Sequence, residues 1–366
     1  MPVVSSFARE IYRAGIREAQ DVLVDCDNVD LIDLTPNKGF GVREQIIERL
    51  SYHDPIGILT RTNRGLKPVV LTHEYDLFIM VCPFWRDIFY SNSIVNWRDN
   101  CRKSACWIPE LWLSDLAKLP HLKKLLIDFD YIFIGTQGTA EQLSESIGQK
   151  CWGMAHGVDS LRFCPGHDAP ERIIDLYSIG RRFPAVHQEC LKFTRGSGAL
   201  YLFDTAINGD SQTSDYAQHR NLLADLAKRS KLFFVAPGKF DVASYGSQQD
   251  IGNRYFEGLA AGATMIGTAP RGEGFKQLFD WPVPVVPIRE DGTDFERTVS
   301  NLLANPEKLA QTAVRNTTKA LQKHDWVYRW RELMKVVGLE PQPAMFERIK
   351  TLKKLSEEHE CHLVAE

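Results

Sequence analysis

The sequence predicts an α/β protein with two parallel-sheet domains. Its 366 residues are many for a single hydrophobic core, so two domains are expected. Short apolar runs typical of buried strands alternate with helical segments in both halves, which indicates parallel sheets joined by crossover helices. A turn-rich loop that begins at His156 separates the halves. We predict one domain over residues 1–165, a second over 166–325, and C-terminal helices over 326–366.

The first half is predicted to begin with an amphipathic helix over residues 6–24, although such domains usually open with a strand. Whether Val3 and Val4 form a short first strand is left open by the pattern. Apolar runs and turn residues place the other elements of this half: strands over 31–34, 76–82, 104–108, 131–134 and 150–154, and helices over 42–50 and ending at 143.

The second half repeats the alternation of strands and helices. Its strands are predicted over 175–179, 199–203, 232–235, 264–266 and 283–288, and its helices over 186–193, 216–230, 252–262, 293–304 and 306–322.

Composition is that of an ordinary globular protein, with 44% hydrophobic and 25% charged residues. A net charge of −3 gives no reason to expect a nucleic-acid partner. The eight cysteines form no CxxC pair and have no zinc-ligand spacing, which favours a reducing cytoplasm. We expect no signal peptide and no membrane span. A basic amphipathic stretch at 344–356 leaves two alternatives open, packing against the first domain or peripheral contact with the inner face of a membrane.

The segment GNRYFEGLAAGATMIGTAP, which starts at Gly252, carries the clearest chemical signal. Its small residues are expected to let a helix lie close against a sheet, and Gly262 is expected to end that helix. A helix N-terminus with Arg254 nearby suits a phosphate group. Glu257, one turn further on, can accept hydrogen bonds from both hydroxyls of a ribose. The alternative is an ordinary ion pair on a packed helix.

Several motifs in fixed order make the chain resemble the group-1 (family 4-type) glycosyltransferases. These are HGVDSLRFCP, a strand ending in GRR, NRYFEGLAAGATMIG and NPEKLAQTAVRNTTKALQKHDWVYRW, and the resemblance spans about residues 130–335. It implies the GT-B fold, in which two Rossmann-like domains face each other across a cleft and the C-terminal helix crosses back to the first domain. It also implies transfer of a sugar from a nucleoside-diphosphate sugar, with retained anomeric configuration and no metal or other cofactor.

The resemblance implies roles for particular residues. Glu257 matches the glutamate that holds the donor ribose, and Arg181 matches an arginine that faces the donor diphosphate. The backbone N–H groups around Gly252 and Asn253 match the start of the phosphate-binding helix.

Two positions depart from the family pattern. Gln249 stands where the family has a glutamate, and the neighbouring Asp250 can replace it only if the loop shifts by one residue. The lysine that follows GR in the family is absent. Its charge is expected from Arg182, Lys239 or Arg254.

Two histidines are weighed as catalytic residues. His156, in the interdomain loop, is retained together with Gln249 as a candidate, with a turn histidine as the alternative. His324 precedes Asp325, but Trp326, Val327 and Trp330 have the spacing of a buried stripe, so we predict a structural role there.

The predicted partners are a nucleotide sugar and a glycan, lipid or protein acceptor, without nucleic acid. Two other functions remain open: a sugar-nucleotide-binding protein that has lost catalysis, for which Gln249 is the motive, and a sugar-nucleotide 2-epimerase.

Overall fold

The first sheet has six parallel strands in the order β2-β1-β3-β4-β5-β6. The computed structural model describes residues 1–6, 11–51, 54, 57–116, 120–166, 169–204 and 215–365. The strands are β1 (Pro2–Ser6), β2 (Asp30–Leu34), β3 (Tyr75–Val81), β4 (Cys101–Ile108), β5 (Tyr131–Ile134) and β6 (Cys151–Gly153).

The strand left open by the sequence is present as β1. Val3 pairs with Leu31 of β2, and Val4 pairs with Met80 of β3, so β1 is an inner strand. The predicted helix over 6–24 is correct over residues 14–24, which lie in a helix that spans Ala14–Cys26. Its start is wrong, because residue 6 belongs to β1, and residues 7–10 of the prediction lie outside the described residues.

The second sheet has five parallel strands in the order β11-β10-β9-β7-β8. They are β7 (Ile174–Tyr177), β8 (Tyr201–Leu202), β9 (Ser230–Val235), β10 (Thr264–Gly267) and β11 (Val286–Pro287). Two parallel-sheet α/β domains are therefore confirmed, while the boundary at residue 165 stays a prediction.

Helices connect and cover the two sheets. They are α1 (Ala14–Cys26), α2 (Phe40–Ser51), α3 (Trp97–Asn100), α4 (Leu113–Leu116), α5 (Pro120–Leu126), α6 (Thr139–Ile147), α7 (Ser160–Phe163), α8 (Pro184–Ser197), α9 (Tyr216–Lys228), α10 (Asn253–Ala260), α11 (Glu273–Leu278), α12 (Phe295–Leu303), α13 (Pro306–Lys323), α14 (Trp326–Val337) and α15 (Pro343–Ala365). Short 3₁₀ helices lie at Ile11–Arg13, Trp85–Ser93 and Ala243–Tyr245. Within the described ranges, no helix combines the length and apolar character needed to cross a membrane.

The C-terminal helices return to the first domain and complete its core. Trp326 and Trp330 of α14 are fully buried, and their rings lie 5.6 and 5.5 Å from that of Trp107 on β4, edge to face. Trp330 Nε1 donates a hydrogen bond of 2.7 Å to the carbonyl of Ala19 on α1. The predicted buried stripe and the crossing helix are both confirmed.

The stretch at 344–356 lies within α15 and packs on the same core. Met345 and Leu352 are fully buried there. Arg348 reaches under the helix to the carboxylates of Asp159 and Asp325, at 2.6 and 2.8 Å. Packing against the first domain is thus the use that the structure shows for this helix.

Candidate functional site

Helix α10 begins at the cleft between the two sheets because its glycines permit a close approach to β9. A Cβ atom added to Gly258 would lie 2.8 Å from the ring of Phe233, so only glycine allows this helix-to-sheet distance. Gly262 has φ +71°, in the left-handed region that ends helices, as the sequence predicts. Gly252 is the N-cap, and Gly252, Asn253 and Arg254 line the cavities of the cleft, so the first turn of α10 lies at the cleft.

A second helix N-terminus meets α10 from the first domain. Gly15, in the first turn of α1, approaches Asn253 so closely that an added Cβ would lie 2.5 Å from its Nδ2 atom. Ala14, Gly15 and Asn253 all line one cavity of about 730 Å³ between the domains. Two positive helix ends thus converge on a space of the size that small-molecule ligands occupy.

Charged side chains give this large cavity a net positive lining. Four arginines and only two carboxylates line it, and His219 adds no charge because burial and Arg220 lower its pKa to about 4. The charged residues are Arg181, Arg182, Arg220, Arg254, Asp204 and Glu257. An excess of positive charge at two helix N-termini suits a diphosphate.

Arg181 and Arg182, both predicted to bind the donor, differ in how strongly neighbouring residues hold their side chains. Arg181 is half exposed and lies 3.5 Å from the equally exposed Asp241, so solvent weakens this pair. Arg182 is bound to Asp204 and lies over the ring of Phe203. Arg181 is the more available of the two for an incoming anion.

Glu257 is fully buried at the bottom of the large cavity and does not form a surface pair. Its two oxygens accept hydrogen bonds from Arg220 and Arg254. Burial alone would raise the pKa of Glu257, but Arg254 and Arg220 lower it to about 2, so the carboxylate is charged at neutral pH.

A buried ionic network that the sequence reasoning missed links Glu257 to the first domain. Glu18 of α1 accepts two hydrogen bonds from Arg220 of α9, at 2.8 and 3.0 Å. The side chains of Glu18, Arg220 and Glu257 are almost fully buried. A signal did exist in the sequence. Glu18 lies four residues from both Ala14 and Val22, in the apolar stripe of α1.

A smaller cavity of about 190 Å³ adjoins the large one and contains the other candidates. His156, Lys239, Gly252 and Asn253 line it, together with Asp250. Burial lowers the pKa of His156 to about 4 and raises that of Asp250 to about 7. A neutral imidazole and a carboxyl group that titrates near pH 7 therefore share this space.

Gln249 is not among the residues that line either cavity. Its Oε1 accepts a hydrogen bond of 2.8 Å from the backbone N–H of Arg271, within the second domain. The backbone N–H of Gly238 donates to the carbonyl of Asp250 at 2.9 Å, which sets the loop so that Asp250 and not Gln249 reaches the cleft.

The loop over residues 238–251, here called the bridging loop, contacts the first domain. The side-chain amide of Gln248 accepts from the N–H of Leu113 and donates to the carbonyl of Gln137 and the hydroxyl of Thr139, each at 2.9 Å. Tyr245 stacks on Trp112 with ring centroids 4.3 Å apart.

An ion pair between Lys239 and Glu110 adds a further contact between the bridging loop and the first domain. Among the described residues, no cluster of three or more His, Cys, Asp or Glu side chains has a geometry that could hold a metal ion.

The sequence profile of a glycosyl transferase-like family matches residues 205–335. No curated protein sequence matches the chain significantly. Among solved structures, an alpha-glucosyltransferase in complex with UDP and DNA has a TM-score of 0.54 and 9% identity, over 92% of this chain and 99% of that one. HepE of Anabaena in complex with UDP-glucose has a TM-score of 0.50 and 10% identity, over 92% and 98%.

The chain spans about 54% of the length of another similar structure, TarM, with a TM-score of 0.47 and 9% identity over 71% of this chain. At 9 and 10% identity, the alpha-glucosyltransferase and HepE establish the fold alone, and the fold is GT-B. One of these complexes contains DNA, so the expectation that this chain has no nucleic-acid partner is not supported.

Proposed function

Because the chain has the GT-B glycosyltransferase fold and a glycosyl transferase-like second domain, we propose that it transfers a sugar from a nucleoside-diphosphate sugar to a hydroxyl-bearing acceptor. The observation that carries the proposal is the meeting of two helix N-termini and four arginines at the large cavity. Such a cavity stabilises a diphosphate, which is the group that gains charge when the sugar leaves.

In this proposal the donor lies along the large cavity. The first turn of α10 and Arg181 bind the diphosphate, with Arg182 and Arg254 beside them. Glu257 accepts hydrogen bonds from the ribose hydroxyls, since a carboxylate retains lone pairs when each oxygen already accepts one hydrogen bond from an arginine. The carboxylate therefore need not release Arg220 for ribose to bind.

The sugar and the acceptor hydroxyl meet in the small cavity. We assign the sugar-facing carboxyl to Asp250, because it lines this space and Gln249 does not. The bond between the anomeric carbon and the diphosphate oxygen breaks, a bond to the acceptor oxygen forms, and the acceptor proton leaves with the diphosphate. His156 is neutral and can orient a hydroxyl group there.

By resemblance, the transfer retains the anomeric configuration, moves a hexose and needs no metal. The arginines of the large cavity supply the positive charge that a metal would otherwise provide. Activity that persists in a chelator would support this part of the proposal, and its loss would oppose it.

The test is a thermal-shift screen with UDP-, GDP-, ADP-, CDP- and dTDP-sugars, followed by an assay for release of the nucleoside diphosphate. A ligand at 100 times its dissociation constant should stabilise the protein by about 2.7 kcal/mol. Binding followed by slow donor hydrolysis is expected for a transferase. Binding without hydrolysis, and without transfer to any acceptor tried, would favour the inactive binding protein. An isomerised sugar nucleotide as the product would favour the epimerase. No stabilisation by any of the five classes would refute the donor site.

A further inference from the structure

We propose that Glu18, a residue of the first domain, is a positioning residue for the ribose carboxylate of Glu257 in the second domain. This inference rests on the proposed function, because it assigns a task to the site where the donor ribose would bind. The link between them is the guanidinium of Arg220, which contacts both carboxylates.

The orientation of Arg220 is set mainly by Glu18. Nε and Nη2 of Arg220 donate to the two oxygens of Glu18, at 2.8 and 3.0 Å, and this paired geometry fixes the guanidinium plane. The remaining Nη1 donates to Oε1 of Glu257. The direction of the Glu257 carboxylate is thus determined by a side chain on the other side of the cleft.

Glu18 is itself held rigidly and does not line the large cavity. Its Oε1 accepts from the backbone N–H of Asp159 at 2.9 Å and from Nε1 of Trp326 at 3.3 Å. Glu18 also lies 3.6 Å from Arg162, which does not line that cavity either. Among the described residues, Arg220 is the side chain that connects Glu18 to the large cavity.

The charges explain why Glu18 matters for ribose. With Glu18 present, the positive charge of buried Arg220 is shared between two carboxylates. If Glu18 loses its charge, Glu257 alone balances Arg220 in a buried site where charge interactions are strong. The negative charge of Glu257 is then drawn more strongly toward Arg220, so the remaining lone pairs of Glu257 become weaker acceptors for the ribose hydroxyls.

The experiment uses the full chain and measures how much loss of the two ribose hydroxyls weakens ligand binding, in the natural protein and in a variant. The first ligand is the nucleoside diphosphate that binds most tightly among UDP, GDP, ADP and CDP, which carry both ribose hydroxyls, and the second is its 2′,3′-dideoxy analogue. For the natural protein, loss of the ribose hydroxyls should weaken binding about tenfold or more, the usual range for hydrogen bonds to a charged group. For Glu18→Gln this factor should fall to about threefold or less.

Asp21→Asn is the matched control. Asp21 also lies on α1 and faces α9, where it accepts a hydrogen bond of 3.3 Å from Tyr216, but it contacts neither Arg220 nor Glu257. Its dideoxy factor, the fold by which the dideoxy analogue binds more weakly than the nucleoside diphosphate, should equal that of the natural protein, even if its thermal midpoint falls.

A Glu18→Gln protein with an unchanged dideoxy factor would overturn the proposal and leave Glu18 with a purely structural role, whatever its stability. Arg220→Lys is the second variant, for use if Glu18→Gln does not fold. A lysine cannot bind both oxygens of Glu18 and also reach Glu257, so its factor should fall as well. If no nucleoside diphosphate binds the natural protein, the proposed function fails first and the inference fails with it.

Discussion

Gln248→Ala should loosen the contact between the bridging loop and the first domain. The substitution removes three hydrogen bonds of 2.9 Å, to Leu113, Gln137 and Thr139. At about 0.5–1.5 kcal/mol for each bond, their sum is about 1.5–4.5 kcal/mol. Opening of this contact should therefore become roughly ten- to thousandfold more frequent. The Tyr245–Trp112 stack and the Lys239–Glu110 pair remain and keep the loop close.

The assay is amide hydrogen exchange with mass spectrometry on peptides that cover residues 111–116 and 236–252. Exchange should accelerate in both peptides, because the N–H of Leu113 loses its acceptor when Gln248 is removed. Gln249→Ala is the matched control, since the described partner of its side chain is the backbone N–H of Arg271, within the second domain. It should leave the peptide at 111–116 unchanged. Equal exchange at 111–116 in both variants and in the natural protein would refute the reasoning.

Three further predictions concern the site and the core. Asp250→Asn should change the pH dependence of stability. Burial raises the pKa of folded Asp250 to about 7 from an ordinary 3.8, so the stability that the protonated carboxyl contributes below pH 4 is lost as the pH rises to about 7. Urea unfolding of the variant at several pH values should lack this loss. A pH slope shared by both proteins would contradict it. Arg181→Ala should weaken nucleoside diphosphate binding about tenfold or more, by calorimetry, and leave the free nucleoside unaffected; equal losses for both ligands would give Arg181 a structural role. Trp330→Ala should lower the free energy of unfolding by about 3–5 kcal/mol. Trp330→Phe should cost less, because both variants lose the hydrogen bond to the Ala19 carbonyl but the phenylalanine ring fills most of the cavity that alanine leaves. Equal unfolding midpoints for the two tryptophan variants would argue against this packing.

Sequence reasoning succeeded where the determinants are local. The start of α10 at Gly252, its end at Gly262 and its approach to β9 all follow from small residues at fixed spacing. The buried stripe of Trp326 and Trp330 follows from helical periodicity in the same way.

It left points open, or missed them, where the determinants lie far apart in the chain. β1 is a short run of Pro, Val and Ser, and it is a strand because β2 and β3 pair with it on both sides. Glu18 and Arg220 are 202 positions apart, so no spacing rule connects them. The choice between Gln249 and Asp250 depends on one backbone contact at Gly238, and nothing in the local pattern specifies that contact.

The return of α14 to the first domain has a consequence for folding during synthesis. Val3, Trp107 and Trp330 belong to one core, so the face of the first sheet that α1 covers in part stays incomplete until the ribosome has released residues beyond 330. The second sheet, by contrast, needs only residues 174–287 for its strands. Domains usually fold in the order in which they are made. In this chain the later sheet can be complete first, and the earlier one must wait for the last helices, with the part of its apolar face beyond α1 open to chaperones in the meantime.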